Sequence, residues 1–188
     1  MDRGRRYPME SQNLTLRESV FPDCIFFAEW ESKSFIQDNF TMSQTRDYEE
    51  IVKEFVIREL EKDKKQFTIV LREEDRPIGR VYLSRIDTCS DSLDITRIYI
   101  GEEDCLGKGY GEEAMRVLLE YAFIQLHAER VTLDHVPTNY RAASLYQKLG
   151  FHYEGVLRHA GRKDGKYVDF HLLSMLRAEY YENCKRLL

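Results

Sequence analysis

Leu106-Gly107-Lys108-Gly109-Tyr110-Gly111 is the stretch on which the fold turns. Before it, residues 93–100 (Leu-Asp-Ile-Thr-Arg-Ile-Tyr-Ile) read as a strand rich in β-branched and aromatic residues. On that strand Ile98 and Ile100 share one side, and Arg97 and Tyr99 share the other. After it, Met115, Leu118, Leu119, Ala122, Phe123 and Leu126 recur at helical spacing between Gly109 and about residue 127. A glycine loop between a strand and a helix has a physical use. The first N–H groups of a helix lack intrahelical partners, and the helix dipole adds positive potential there. Glycines allow positive φ and close approach of the main chain. The unit therefore suits a phosphate or pyrophosphate. The spacing is not that of a P-loop, because Gly109 follows Lys108 where Ser or Thr is required. It is not the dinucleotide fingerprint either, because the glycines run G-x-G-x-G. A glycine-rich turn without a ligand has the same local sequence.

Working outward, residues 13–17 alternate as a strand, and residues 22–31 form a helix with Pro22 near its start. A second helix spans residues 47–60, with Ile51, Val52, Phe55, Val56 and Leu60 on one stripe. Phe67, Ile69 and Leu71 mark a strand. Residues 73–76 make a hairpin turn, and residues 78–86 return. Downstream, residues 130–136 form a short β-branched strand. Asn139 stands at an N-cap before a helix over 141–149, which Gly150 ends as a C′ glycine. Residues 151–157 and 167–175 are two last strands joined by a charged loop, 159–166. Hairpin-linked strands followed by crossover units predict an α/β fold with a mixed sheet and helices on both faces.

The chain has 188 residues, enough for one domain over residues 11–188 behind a basic tail of residues 1–10. Hydrophobic residues make up 43% and charged residues 32%, which excludes a disordered chain. No apolar run is long enough to span a bilayer, and no apolar stretch follows the basic start as a secretory signal would require. A net charge of −5 argues against a general nucleic-acid binder, despite Arg3, Arg5, Arg6 and the basic run at 158–166. Cys24, Cys89, Cys105 and Cys184 are scattered, without zinc spacing, so no metal is expected and the thiols suit a reducing cytoplasm.

A second motif joins the glycine loop. Asn139-Tyr140-Arg141-Ala142-Ala143-Ser144-Leu145-Tyr146-Gln147-Lys148-Leu149-Gly150-Phe151 resembles the N-x-x-A-x-x-x-Y-x-K-x-G-F signature of the GNAT superfamily of acetyl-CoA-dependent N-acetyltransferases. In that family a [QR]-x-x-G-x-[GA] loop holds the CoA pyrophosphate. Gly109 and Gly111 match it, and Leu106 departs from the usual Gln or Arg. The resemblance runs from Leu14 to about Tyr180. It is nearest the branch with ribosomal-protein N-terminal and spermidine acetyltransferases. It implies a mostly antiparallel sheet of six or seven strands, splayed in the middle.

The resemblance also implies a chemistry. A free amine attacks the acetyl thioester directly, on a small molecule, a polyamine or a protein N-terminus. Acetyl-CoA would be held by Ile98, Tyr99, Ile100, Leu106, Gly107, Lys108, Gly109, Tyr110, Gly111, Asn139 and Tyr146. The family places a tyrosine acid at Tyr146 and, in some relatives, a carboxylate base at the position of Asp134. Glu102, Glu103 or water are alternative bases. The glutamates and Asp104 lean the acceptor towards a cation. His135 shares the inward side of its strand with Val131 and Leu133, which suits a satisfied, partly buried histidine. The alternative reading is a non-catalytic acyl-CoA-sensing module of the same fold. An exposed strand edge leaves room for a homodimer or larger homo-oligomer.

Overall fold

The computed structural model describes residues 9–41 and 46–185. Seven strands form one sheet in the order β1-β2-β3-β4-β5-β7-β6. They are β1 (Leu14–Glu18), β2 (Lys65–Leu71), β3 (Arg76–Asp87), β4 (Ser92–Ile100), β5 (Arg130–His135), β6 (His152–Lys163) and β7 (Lys166–Leu176). Neighbours are antiparallel except β4 and β5. The helices are α1 (Cys24–Ser32), α2 (Ser34–Gln37), α3 (Tyr48–Leu60), α4 (Tyr110–Glu120), α5 (Tyr140–Leu149) and α6 (Arg177–Lys185).

The parallel pair is short. Its register runs from Ser92 opposite Arg130 to Ile95 opposite Leu133 and stops there. Both strands continue, so the sheet opens between residues 96–100 of β4 and the end of β5. A bulge marks the start of the opening. Tyr82 pairs with Arg97, but Leu83 pairs with Ile95, which leaves Thr96 as the extra residue. The bulge changes the alternation. Leu93 and Ile95 before it, and Ile98 and Ile100 after it, all join the larger core with α4 and α5. Arg97 and Tyr99 are turned to the other side, where Tyr99 packs with Phe27, Trp30 and Phe55 of α1 and α3.

That second face is polar beneath its helices. Arg17, Thr68, Arg80 and Tyr99 pair across four strands in one row, and Gln66, Tyr82 and Arg97 in the next. Except for Arg17 these groups are buried, so the polar positions of the β2 alternation face α1 and α3 rather than water.

Local signals explain the element ends. The Asp47 carboxylate accepts from Glu50 N at 2.9 Å and caps α3. Asn139 Oδ1 accepts from Ala142 N at 3.0 Å and caps α5, and Gly150 (φ +90°) closes that helix in the left-handed region.

The structure departs from expectation in five places. Val56 and Leu60 are exposed, because α3 is a surface helix seated chiefly through Ile51 and Phe55. The long helix turns to π geometry over residues 121–125, with Leu126 N donating to Tyr121 O. The charged loop at 159–166 is mostly strand. β6 and β7 extend to a turn at Asp164-Gly165, whose positive φ angles (49° and 76°) suit a tight hairpin. α6 is an additional helix after β7. Met9 and Glu10 already pair with β1, while residues 1–8 of the expected tail lie outside the described residues. Among the described residues, no helix is long and apolar enough to cross a membrane.

Candidate active site

The opened sheet holds a cavity of about 570 Å³. One end is walled by the glycine loop, the first turn of α4, and Asn139, Arg141, Ala142 and Leu145 around α5. The other end is walled by Phe35, Ile36, Asn39, Phe40 and Thr41 around α2, and by Phe170 of β7. Residues 96–100 and 134–136 form the floor between them, with Tyr146.

At the glycine end, Gly107 (φ +77°) and Gly109 (φ +87°) occupy the left-handed region that favours glycine. A Cβ built on either would meet nothing within 4 Å, nor would one on Gly111, so open space lies before the main chain. Gly109 caps α4 without any side-chain bond, which leaves the first amides of the helix facing outward without a side-chain acceptor. Leu106 and Tyr110 pack partly into the main core beside the loop. Lys108 is exposed and does not line the cavity. The anion cradle is thus built from backbone, and Leu106 leaves it intact.

Along the floor, the edge of β4 facing β5 has no ladder partner beyond Ile95. The main chain at Ile98 and Ile100 therefore offers N–H and C=O groups to an extended ligand, while that of Tyr99 is turned to β3 opposite Arg80. A thioester with a pantetheine arm and a pyrophosphate fits this set: strand edge first, glycine cradle beyond.

Tyr146 and Asp134 both line the cavity. The Tyr146 ring is buried beside His135 and Phe151, at ring centroid distances of 6.1 and 5.8 Å. Its hydroxyl has no hydrogen-bond partner among the described residues. Burial, and then the charge of Asp134, push its pKa well above the ordinary tyrosine value, so it stays protonated. The Asp134 carboxyl also makes no hydrogen bond or ion pair among the described residues. Burial and then the nearby Asp94 charge raise its pKa to about 6, with Arg85 opposing. Asp94 itself is held by Arg85 at 2.9 Å and accepts from Thr132 Oγ1 at 2.9 Å and Thr96 Oγ1 at 2.8 Å. An unpaired carboxyl can take a proton and a protonated phenol can give one, and both groups line this cavity.

His135 lies 2.8 Å through Nδ1 from Val136 O, and burial lowers its pKa, as expected of a satisfied core histidine. Glu102 accepts from Trp30 Nε1 at 2.7 Å, and Asp104 pairs with Arg76 at 2.9 Å. Neither glutamate of the pair 102–103 lines the cavity. Cys105 lines it, and burial raises its thiol pKa, so it has no acidified thiolate.

Reading the sequence did not find Phe35, Phe40 and Phe170, nor the charged layer under Tyr99. Phe35 and Phe40 fall in a stretch without clear periodicity, and Phe170 falls at an ordinary strand position. Glu31 ended a predicted helix as an unremarkable acid. In the fold its Oε1 accepts from Arg80 (2.7 Å), Arg97 (2.9 Å) and Tyr99 Oη (3.1 Å), and its Oε2 from Arg46 (2.8 Å). Only the meeting of four chain segments reveals that role.

Comparison with known proteins agrees with the geometry. The Acetyltransferase (GNAT) domain family matches residues 14–152. An uncharacterized N-acetyltransferase p20 of Bacillus licheniformis is 28% identical over 176 residues, covering 90% of this chain and 96% of its own length. A probable N-acetyltransferase, YjcK of Bacillus subtilis, is 31% identical over 157 residues, covering 79% of this chain and 84% of its own. Among solved structures, a spermidine N-acetyltransferase from Vibrio cholerae in complex with CoA and spermine superposes with a TM-score of 0.82. Its identity is 23%, over 91% of this chain and 99% of that one. With a sheet opened between β4 and β5, a glycine cradle at the head of α4 and these relatives over most of its length, the chain belongs to the GNAT family of acetyl-CoA-dependent N-acetyltransferases.

Proposed function

We propose that this enzyme acetylates a primary amine by direct attack, with Asp134 as the base and Tyr146 as the acid. The observation that carries this reading is the single cavity that joins the strand edge, the glycine cradle and both titratable groups. Bound acetyl-CoA supplies an activated acetyl carbon. The protein's groups do the rest. A free alkyl ammonium has a pKa of about 10 and must lose a proton to become nucleophilic. Asp134, unpaired and ionised above about pH 6, takes that proton directly or through a water. The free N–H groups of β4 donate to the acetyl oxygen as it gains charge. The carbon–nitrogen bond forms and the carbon–sulfur bond breaks. Tyr146 then gives its phenolic proton to the departing sulfur, and the new amide nitrogen sheds its extra proton, through water, back to the phenolate.

The cofactor set is Ile98 and Ile100 through their main chain, the loop at 106–111, and Asn139 at the head of α5. Tyr99 only holds its neighbours in place, since its main chain faces Arg80 of β3 and its hydroxyl is bonded to Glu31.

Replacing Tyr146 by Phe tests the assignment. The expected result is a fall in kcat of about 10²-fold or more, with acetyl-CoA affinity unchanged. Wild-type turnover in Tyr146→Phe would remove this residue from the proton path.

A further inference from the structure

The acceptor end of the cavity has a definite chemistry, and it rests on the acetyl-transfer reading above. Its lining is aromatic: Phe35, Phe40 and Phe170, with Tyr99 in edge contact with Phe40 (5.9 Å between centroids). Asn39 and Thr41 supply the neutral polar atoms. Among the described residues, two acids line the whole cavity, Asp134 and Glu112. Glu112 is at the glycine end and is taken by Lys148 (2.6 Å) and Arg116 (2.9 Å). Asp134 is therefore the one unpaired carboxyl, and the mechanism uses it on the reacting nitrogen.

The layer below adds a positive field. Four guanidiniums (Arg46, Arg58, Arg80 and Arg97) surround two carboxylates (Glu31 and Glu54) between α1, α3 and the sheet. Arg80 is fully enclosed, at 0% exposure, and Arg97 lines the cavity itself. Both Glu31 oxygens are committed to these partners. Glu59 reaches the cluster only through Gln66, from the exposed side of α3. The residues between Thr41 and Arg46 (Met42, Ser43, Gln44 and Thr45) lie outside the described residues and are uncharged. Among the described residues, a second ammonium on the acceptor would meet surplus positive charge and no free carboxylate, and like charges repel strongly in a medium of low polarity.

The geometry points to an acceptor that is a primary amine on an aromatic body, with no second cationic centre. The ring would pack against Phe35, Phe40 and Phe170, and the amine would reach Asp134. Polyamines are disfavoured by the absence of a partner for their remaining charges, which is discrimination by repulsion as well as by fit.

The test uses the full chain, with CoA release as the readout and phenethylamine and spermidine as acceptors. The expected kcat/KM for phenethylamine exceeds that for spermidine by about tenfold or more. Phe40→Ala is expected to raise the phenethylamine KM by roughly tenfold, with the acetyl-CoA KM unchanged. Thermal stabilisation by acetyl-CoA is measured alongside. Its absence would overturn the acetyl-transfer reading, and this inference with it. Its presence with spermidine as the better acceptor, or with phenethylamine not turned over, overturns the inference alone.

Discussion

At the residue scale the proposed chemistry rests on Asp134. Its carboxyl is half-buried, faces the negative charge of Asp94, and titrates near pH 6. As a base it works only when ionised, so kcat/KM should rise through a limb near pH 6 and level off above it. Asp134→Asn is expected to abolish that limb and most of the activity, as a pH–rate profile would show; an unchanged limb would assign it to another group. The sign for stability is opposite. A carboxyl whose folded pKa lies above its unfolded value favours folding at low pH, and this contribution is lost as pH rises through about 6. Asp134→Asn should therefore keep or raise Tm at neutral pH. That separates a lost base from a damaged fold.

At the scale of elements, the head of α4 and the head of α5 do different work. The first is a bare cradle of backbone amides; the second is capped by its own Asn139. For wild type at 100-fold excess over Kd, acetyl-CoA should stabilise the fold by about 2.7 kcal/mol, a rise in Tm of about 5–11 °C for this size. Gly109→Val puts a branched side chain at φ +87° in front of the cradle. The expected outcome is loss of that shift in a thermal melt. A full shift in the variant would move the pyrophosphate elsewhere.

These two elements were also the most legible in the sequence. The N-cap asparagine, the C′ glycine and the alternating glycines act locally, so neighbouring residues specify them. The strands over 151–157 and 167–175 were legible, but the far half of the β6–β7 hairpin was not, because Arg158, Arg162 and Lys163 break any apolar alternation. Its strands are held instead by backbone pairing, with Lys163 Nζ donating to Gln37 O at 2.7 Å. α6 has no clear apolar stripe and was missed for the same reason. The acceptor walls were invisible because Phe35, Phe40 and Phe170 meet only through tertiary structure.

At the scale of the whole molecule, the sheet is gripped differently on its two faces. One face carries an apolar core with α4 and α5. The other carries buried arginines neutralised in part from above by Glu31 of α1 and Glu54 of α3. Burial pushes the Glu54 carboxyl up, yet Arg97, Arg58, Arg80 and Arg46 together pull it below the ordinary range. Removing one partner of such a cluster leaves enclosed charge without compensation. Glu31→Ala is accordingly expected to cost about 3–5 kcal/mol, read as a lower denaturant midpoint with unchanged slope. A cost below about 1 kcal/mol would mean that water reaches Arg80 after all.

The unpaired Thr96 works as a spacer in the ladder. Without it Ile95 and Arg97 would stand consecutively opposite Leu83 and Tyr82, and every side chain from Arg97 to Ile100 would keep its face. What would go is the local bend and added twist that a bulge gives its strand, at the point where β4 leaves β5. Descendants of this gene can therefore drift in what stands at position 96, but a gap there would straighten the strand where the fork begins.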